Sequence, residues 1–141
     1  MKTKLLKTLL LSAVLLICSD AISQEEPAMP LMDPDMTVRM QVENMMMKDT
    51  MMINSPYHKD IQLIQFPSKV LASGKKEVKK YWADYSMSDV QIDYQMREAT
   101  KVGDTYVASV LKMDHAAQKE SQVFIIFQFE GKLIRSIHFV D

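Results

Sequence analysis

The end of the chain holds its most hydrophobic stretch, VFIIFQFEGKLIRSIHFVD (residues 123–141). One face of its first half carries Val123, Ile125, Phe127 and Phe129. Phe124 and Ile126 lie on the other face, and a strand that is apolar on both faces has to be covered on both. Because Glu130 and Gly131 mark a tight turn, the stretch predicts a β-hairpin at the centre of a sheet. The chain can end there because these strands complete the core.

Alternating patterns extend upstream of this hairpin. Residues 89–98 (DVQIDYQMRE) place Val90, Ile92, Tyr94 and Met96 on one face and polar residues on the other, as in a half-buried strand. A hairpin turn over residues 102–105 leads to a return strand over 106–113. A polar loop over 114–121 follows. Earlier in the chain, a loop over residues 54–60 precedes a predicted strand over 61–66, which Pro67 ends.

Two helices are predicted before this run of strands. Asp33 followed by Pro34 is typical of a helix N-terminus and predicts a first helix over residues 35–52. This helix is apolar on two sides, with Met36, Met40, Met47 and Met51 on one stripe and Val38, Val42, Met45 and Met52 on the other. Such a helix packs on its own core with one side and on a second element or subunit with the other.

The second helix begins near Ser73 or Gly74. It places Val78, Tyr81, Trp82 and Tyr85 at positions i, i+3, i+4 and i+7, which is the spacing of one helix face. The element order is therefore helix, strand, helix and then a run of antiparallel strands. This order predicts an α+β fold in which the helices pack on one face of a curved sheet.

The N-terminus has the layout of a secretory signal peptide. Lysines at positions 2, 4 and 7 precede an apolar run over residues 9–17, and small residues at 21–23 predict cleavage after Ser23. A retained membrane anchor and a lipoprotein signal at Cys18 are the alternatives. We therefore predict a signal peptide over 1–23, a mature N-terminal tail over 24–34, a single domain over 35–141 and a secreted or periplasmic location.

The charge balance excludes some classes of partner. Without residues 1–23 the chain keeps 14 basic and 17 acidic residues, a net charge of −3. No basic run is long enough to form a patch for nucleic acid or for an anionic membrane surface. We expect no nucleic-acid partner, and no membrane contact after signal cleavage.

Three motifs follow one another along the chain, namely SGKKEVKKYW (73–82), VGDTYVAS (102–109) and FQFEGKLIRSIHFVD (127–141). In this order they resemble motifs of the nuclear-transport-factor-two-like superfamily, which includes the SnoaL-like polyketide cyclases and the ketosteroid isomerases. The resemblance implies a cone-shaped, strongly curved antiparallel sheet with N-terminal helices packed on its concave face around an apolar pocket. It also implies homodimers that cover Phe124 and Ile126 through the outer sheet face.

The catalytic residues of the isomerases do not carry over. Their proton-abstracting aspartate stands directly before a proline at the end of the first strand, and the matching position here is Phe66 before Pro67. Phenylalanine has no proton to exchange, and the first helix offers methionines where those enzymes have a tyrosine. The resemblance therefore favours a non-catalytic domain. Other polar candidates for catalysis are Tyr94, His115 and His138.

The sequence predicts no cofactor and no metal site of the usual kind, because His58, His115 and His138 lack the spacing of metal ligands. Nine of the 13 methionines lie between Met29 and Met52. Thioethers select Cu(I), which gives an alternative copper site. Its candidate ligands are Met40, Met45, Met46, Met47 and Met51. Methionine is also an adaptable apolar filler, and the two-sided helical stripes favour this packing role.

The leading functional hypothesis is an exported binding or accessory domain whose pocket takes an apolar small molecule. Predicted pocket residues are Met40, Met47, Trp82, Tyr94, Met96, Phe127 and Phe129. The enzyme alternative is an isomerase, cyclase or hydrolase that uses a different polar set, with Tyr94 beside His115 or His138.

Overall fold

The computed structural model describes residues 31–141. The predicted signal peptide, its cleavage site after Ser23 and Cys18 lie outside the described residues. The elements are α1 (Pro34–Met47), a 3-10 helix (Thr50–Asn54), β1 (Tyr57–Gln65), β2 (Lys69–Ser73), α2 (Lys75–Ser86), β3 (Ile92–Val102), β4 (Thr105–Asp114), β5 (Lys119–Glu130) and β6 (Leu133–Val140). None of the helices in this range is long and apolar enough to cross a membrane.

The six strands form one open sheet in the order β2-β1-β6-β5-β4-β3. The terminal hairpin, β5 and β6, therefore lies at the centre, as predicted. All pairs are antiparallel except β1 with β6. A parallel pair needs a long connection between its strands, and here the rest of the domain supplies it. The predicted α+β fold class is confirmed, with this one parallel pair in a sheet that was predicted to be antiparallel.

The core lies between the helices and one face of the sheet. Val123, Ile125 and Phe127 of β5 are buried there, which confirms the predicted inner face of that strand. The register shifts between Met96 and Glu98 of β3, and again between Gln128 and Phe129 of β5. Such bulges bend and twist a sheet, so they account for its curvature around the helices.

The first helix is shorter than predicted. Asp33 caps it as expected, since the Asp35 N–H donates to Asp33 Oδ1 (3.1 Å). It ends at Met47 rather than Met52 because Lys48 adopts the left-handed conformation (φ 50°) that commonly terminates helices. Asp49 then caps the 3-10 helix by accepting from the Met51 N–H (2.9 Å). Of the two predicted apolar stripes, one is buried, and it consists of Val38, Val42, Met45 and Met52.

Three strand predictions need correction. β1 begins at Tyr57, within the predicted loop, because this part of the chain pairs with Ile134 of β6. β2 was not predicted, because its five residues form a short edge strand whose apolar alternation is weak. β3 begins at Ile92, so Val90 precedes it and is exposed. The partner strand β4 ends at Asp114, opposite Ile92, and leaves residues 89–91 without a strand to pair with.

The predicted second helix is confirmed. Gly74 precedes it with φ of 82°, a backbone conformation that favours glycine, and Val78 and Trp82 are buried on its inner side. The remaining turns also match, with Gly103 and Gly131 at positive φ in the β3–β4 and β5–β6 hairpins. The loop predicted over residues 114–121 is shorter in the structure and covers residues 115–118, between β4 and β5.

Candidate ligand cavity

A cavity of about 160 Å³ lies between α2 and the inner face of the sheet. Its wall contains six aromatic residues, which are Tyr81, Trp82, Tyr85, Tyr94, Phe124 and Phe139. Met45, Val123 and Ile125 add apolar surface. Three polar side chains complete the lining, namely Gln65, Lys112 and Asp141. A concave site that combines aromatic walls with a few polar groups is a common form of small-molecule site.

Trp82 organises the aromatic wall. Its ring meets Tyr81, Tyr85 and Phe139 edge-to-face, with centroid distances of 5.2, 5.8 and 6.3 Å. The helix spacing explains the contact with Tyr85, because Tyr85 lies three residues after Trp82 on α2. Edge-to-face packing fixes the ring orientations, so this wall is preformed.

The polar side chains lie where the inner-face pattern of three strands changes from apolar to polar. On β4, Ala108 and Val110 are buried, and Lys112 is the next residue on that face. The register supports this placement, since Lys112 lies opposite Tyr94 on β3. Gln65 follows Leu63 on β1 in the same way, opposite Phe139. Asp141 follows Phe139 at the end of β6. Together these residues form a polar rim, made of Gln65, Lys112 and Asp141.

The three tyrosine hydroxyls of the cavity stay protonated at neutral pH. Burial raises the pKa of Tyr94 well above its ordinary value, and the nearby Tyr85, Asp141 and Tyr81 raise it further. Burial likewise raises the pKa of Tyr85 to about 12, with smaller contributions from Tyr81 and Asp93. The pKa of Tyr81 is raised by burial as well. Each hydroxyl is therefore available as a hydrogen-bond donor.

These hydroxyls differ in whether the fold already uses them. The Tyr85 hydroxyl donates to the backbone carbonyl of Met45 (3.2 Å). Within the described residues, the hydroxyls of Tyr81 and Tyr94 have no hydrogen-bond partner, and both residues line the cavity. A tyrosine hydroxyl in a partly buried position usually finds a partner. Two donors in this wall are thus free for a ligand or for water.

A buried polar network supports the cavity from behind. The Tyr57 hydroxyl donates to the Met52 carbonyl (2.7 Å) and accepts from Gln41 Nε2 (3.1 Å). Gln41 Oε1 in turn accepts from the Ser55 hydroxyl (2.5 Å). Trp82 Nε1 approaches the Tyr57 hydroxyl but meets no hydrogen-bond geometry there, and among the described residues it is the one buried side-chain donor without a partner. The network fixes α1 and the 3-10 helix against β1.

The structure separates the residues that the sequence predicted for the pocket. Trp82 and Tyr94 line the cavity. Phe127 and Phe129 are buried in the core elsewhere on the same sheet face, and Met96 packs against that core. Met40 is half-buried on α1, and Met47 is 59 % exposed. None of these last five lines the cavity described here.

Of the catalytic candidates, Tyr94 is the one that lines the cavity. His115 Nε2 lies 2.6 Å from Asp93 Oδ2 in an exposed pair at the start of β3. His138 lies opposite Ile126, on the outer face, where its Nε2 is 3.0 Å from the Ser136 hydroxyl. The structure thus places both histidines outside the cavity wall.

The position that matches the catalytic aspartate of the ketosteroid isomerases is Phe66 in this chain, so it has no acidic group there. Phe66 follows Gln65 at the end of β1 and is 60 % exposed. Its backbone N–H donates to the Phe139 carbonyl (2.8 Å), which ties this turn to β6. In the described part of the chain, no group of three or more His, Cys, Asp or Glu residues is placed to hold a metal ion.

Sequence reasoning missed Gln65, Tyr81, Tyr85, Lys112 and Asp141 as cavity residues. The signal for the polar rim was present in the alternation of residues 106–113, where Lys112 breaks the apolar series of Tyr106, Ala108 and Val110. Tyr81 and Tyr85 were correctly placed on the inner side of α2. Their role required knowing which end of the sheet this helix covers.

Comparison with known proteins identifies the fold. No protein-family model matches the chain, and no curated protein matches its sequence. Solved structures do match. An uncharacterized cystatin-fold protein from Novosphingobium aromaticivorans aligns with a TM-score of 0.67 and 16 % identity, over 78 % of this chain and 99 % of that one.

Two further matches have related folds. An NTF2-like protein of unknown function from Mesorhizobium loti aligns with a TM-score of 0.64 and 9 % identity, over 76 % of this chain and 88 % of that one. A protein with a ketosteroid-isomerase-like fold from Catenulispora acidiphila, in complex with trimethylamine, aligns with a TM-score of 0.60 and 10 % identity, over 74 % and 84 %. At such identities the likeness concerns the fold: the chain has the nuclear-transport-factor-two-like fold, as the sequence motifs implied.

Proposed function

We propose that this protein is a small-molecule-binding domain whose ligand occupies the cavity between α2 and the sheet. The observation that carries the proposal is the pair of free tyrosine donors, Tyr81 and Tyr94, in a wall rich in aromatic residues. Apolar walls provide most of the binding free energy of a small ligand, and a few placed polar groups fix its orientation. This cavity has both apolar wall residues and placed polar groups.

The size of the cavity limits the ligand. At about 160 Å³ it is smaller than the roughly 300–1,000 Å³ of sites for drug-sized ligands. An apolar cavity of about 150 Å³ holds benzene. We therefore expect a ligand with one ring, or a short branched chain, and one polar group. A polycyclic molecule would not fit wholly inside it.

Known structures of this fold support the proposal in a general way. The Catenulispora acidiphila protein was solved in complex with trimethylamine, so a protein of this fold accepts a small molecule. Other matching structures include a putative polyketide cyclase from Sinorhizobium meliloti and an epoxide hydrolase/cyclase-like enzyme. Both act on small molecules according to their names.

A fragment screen tests the proposal. One-ring compounds with a single polar group, such as benzamide and phenol, are tested for binding by ligand-observed NMR. Val123→Phe places a larger side chain in the cavity and should abolish binding while the protein stays folded. Tyr94→Phe removes one free donor and should weaken binding about 2- to 10-fold, the range for one net hydrogen bond. Tyr106→Phe is the matched control, because Tyr106 lies in the core away from the cavity.

Two results would contradict binding in this cavity. One is a screen in which no one-ring compound binds the wild-type protein. The other is a compound that binds Val123→Phe as tightly as it binds the wild type, which would place its site elsewhere.

The enzyme alternative has one observation in its favour. Tyr94 keeps its proton, since its pKa is raised, and it faces the cavity, so it could donate to a substrate oxygen. With His115 and His138 outside the wall, the carboxylate available in the cavity is that of Asp141. Prolonged incubation with any compound that binds, followed by mass spectrometry, separates the two functions. Recovery of unchanged compound supports a binding domain.

Copper binding remains a second alternative, and side-chain exposure favours some of its ligands. Met46, Met47 and Met51 are exposed, and Met40 is half-buried, so their thioethers are accessible. Met45 is buried against the core and lines the cavity instead. Titration of Cu(I) against a competing chelator tests the idea. Binding no tighter than that of the chelator would end it.

We further propose that the domain acts outside the cytoplasm after cleavage behind Ser23. The sequence pattern of residues 1–23 supports this proposal. N-terminal sequencing of the exported chain should find Gln24 as the first residue. A mature chain that begins at Cys18 would instead favour the lipoprotein alternative.

A further inference from the structure

We propose that the ligand of the cavity carries a carboxylate, bound by the polar rim and the free tyrosine hydroxyls, on a body of about one ring. This inference rests on the proposed function and adds the chemical class of the ligand. Its basis is the set of hydrogen-bond donors that the fold leaves unused around the cavity, together with the position of Lys112.

The cavity wall offers several hydrogen-bond donors but one side-chain carboxylate. Lys112 offers three N–H groups, and the hydroxyls of Tyr81 and Tyr94 and the amide of Gln65 add further donors. Asp141 is the carboxylate of the wall, and it already interacts with Lys112, with 3.4 Å between Nζ and Oδ2. A ligand with two acceptor oxygens would satisfy donors that the fold leaves unused.

Lys112 is in an unusual position for a lysine. Its side chain is 22 % exposed, against 76 % for Lys80 on the outer side of α2. It continues the inner-face series of Ala108 and Val110, where an apolar residue would extend the core. Burial of an ammonium costs free energy unless the group is paired and hydrogen-bonded. The contact with Asp141 is long and satisfies one of its three donors, so Lys112 can still bind an anion.

The tyrosine hydroxyls add to the preference for an acceptor. All three cavity tyrosines are neutral at pH 7, and burial raises their pKa values further from it. The Tyr85 proton is used by the Met45 carbonyl, which leaves those of Tyr81 and Tyr94. Hydrogen bonds from neutral or cationic donors to a carboxylate are among the strongest in proteins.

The competing ligand class is a small ammonium ion. Aromatic ring faces attract cations, and Asp141 carries a negative charge. Two features act against this class. The Trp82 ring is packed edge-to-face by Tyr81, Tyr85 and Phe139, and an ammonium at the polar rim would lie close to the positive charge of Lys112.

Three compounds of nearly equal size separate the classes, namely benzoate, benzamide and benzylamine. Their dissociation constants are measured by calorimetry at pH 7 with the wild-type protein. We expect benzoate to bind about tenfold or more tightly than benzamide, as one hydrogen bond to a charged group implies. Benzylamine should bind most weakly.

Variants of the rim assign the effect to Lys112. Lys112→Met should weaken benzoate binding about tenfold and leave benzamide within about twofold, whereas Lys112→Arg should keep most of the preference for benzoate. Asp141→Asn removes the competing carboxylate and should tighten benzoate binding a few-fold. Lys80→Met on the exposed side of α2 is the matched control, and it should change neither constant.

The outcomes distinguish this inference from the proposed function. Benzamide binding as tightly as benzoate, or benzylamine binding most tightly, overturns the carboxylate class and leaves small-molecule binding intact. Equal loss of benzoate and benzamide in Lys112→Met also overturns it, since it shows a general change of the cavity. Failure of all three compounds overturns the inference. If the wider fragment screen fails as well, the proposed function falls with it.

Discussion

The two faces of strand β5 have the same apolar character in the sequence but different surroundings in the structure. Val123, Ile125 and Phe127 point to the inner face and are buried under the helices. Phe124 and Ile126 point to the outer face, where Phe124 is 40 % exposed and Ile126 is half-buried. Their cross-strand neighbours on that face include Val107 and Val140, which are half-buried.

This difference shows what hydrophobic alternation can and cannot predict. A strand that is apolar on both faces indicates that both are covered, but it does not say by what. In the described residues, the helices cover the inner face, and the outer face has no element of the chain upon it. The predicted homodimer through the outer face therefore stays a prediction, with a second copy as the proposed cover of Phe124 and Ile126.

The largest expected effect comes from truncation on the inner face. Phe127→Ala removes a ring that is fully buried at the centre of the sheet. It should lower the free energy of unfolding by about 3–5 kcal/mol, the usual cost of deleting a buried phenylalanine ring. Urea unfolding monitored by circular dichroism measures the change.

Phe124→Ala is the matched control, because it truncates the same residue type on the outer face of the same strand. In a monomer it should cost less than about 1 kcal/mol, as expected for a partly exposed site. An equal loss in both variants would show that the outer face is as well covered as the inner one. Sedimentation of the wild type and of Phe124→Asp would then tell whether a second copy covers it.

A smaller effect is expected from the polar network behind the cavity. Tyr57→Phe keeps the ring but removes the hydroxyl that bridges the Met52 carbonyl and Gln41 Nε2. Both groups would be left buried without this partner, at a cost of about 1–3 kcal/mol. Urea unfolding of this variant beside Tyr106→Phe gives the measurement. Equal stability of the two variants would mean that water replaces the lost hydroxyl.

Alkaline pH should lower the free energy of unfolding, because tyrosines on the inner side resist ionisation in the folded state. Tyr57, Tyr81, Tyr85 and Tyr94 all have raised pKa values in the folded state, chiefly through burial. Because the unfolded chain ionises near pH 10, their contribution to stability is complete below pH 10. It is lost as the pH rises towards the folded pKa values, which for Tyr85 is about 12.

Absorbance at 295 nm measures this tyrosine ionisation directly. In the native protein most tyrosines should resist ionisation until well above pH 10, and urea should remove the resistance. Ionisation of all tyrosines near pH 10 in the folded protein would contradict their burial.

The comparison also shows how far the sequence predicts the molecule. The order of elements, the central hairpin and the inner faces of β5 and α2 follow from periodicity, because burial of one face imposes a period of two or of about 3.6. The residues at which helices and strands begin and end do not follow from periodicity. Lys48 ends α1 through a left-handed backbone, and Val90 lies before β3 because its partner strand stops at Asp114.

The site was harder to predict than the fold. Phe127 was expected in the pocket because it is large and faces inward, yet its ring is part of the closed core. The cavity forms where the inner faces of the strands change to Gln65, Lys112 and Asp141. Each of these residues is an ordinary polar residue in its own segment. Only the register of the strands brings them together.

The smallest expected effect concerns His138, which is the titratable residue that best reports on the outer face. Burial lowers its pKa below the ordinary value of 6.5. The neutral form is therefore favoured by folding, and the contribution of His138 to stability is present above pH 6.5 and is lost as the pH falls through the lowered pKa. His138→Gln should remove this part of the acid sensitivity, which thermal melts at pH 7 and pH 5 would measure.

The pKa of His138 also tests whether a second copy covers the outer face. His138 lies opposite Ile126, so a second copy on the outer face would bury it further and lower its pKa more. NMR titration of the imidazole at low and high protein concentration tests this directly. A pKa that falls as concentration rises supports the dimer, because the apolar cover disfavours the charged ring. A pKa that is independent of concentration, in a protein that sediments as a monomer, means that the outer face of β5 stays in contact with water.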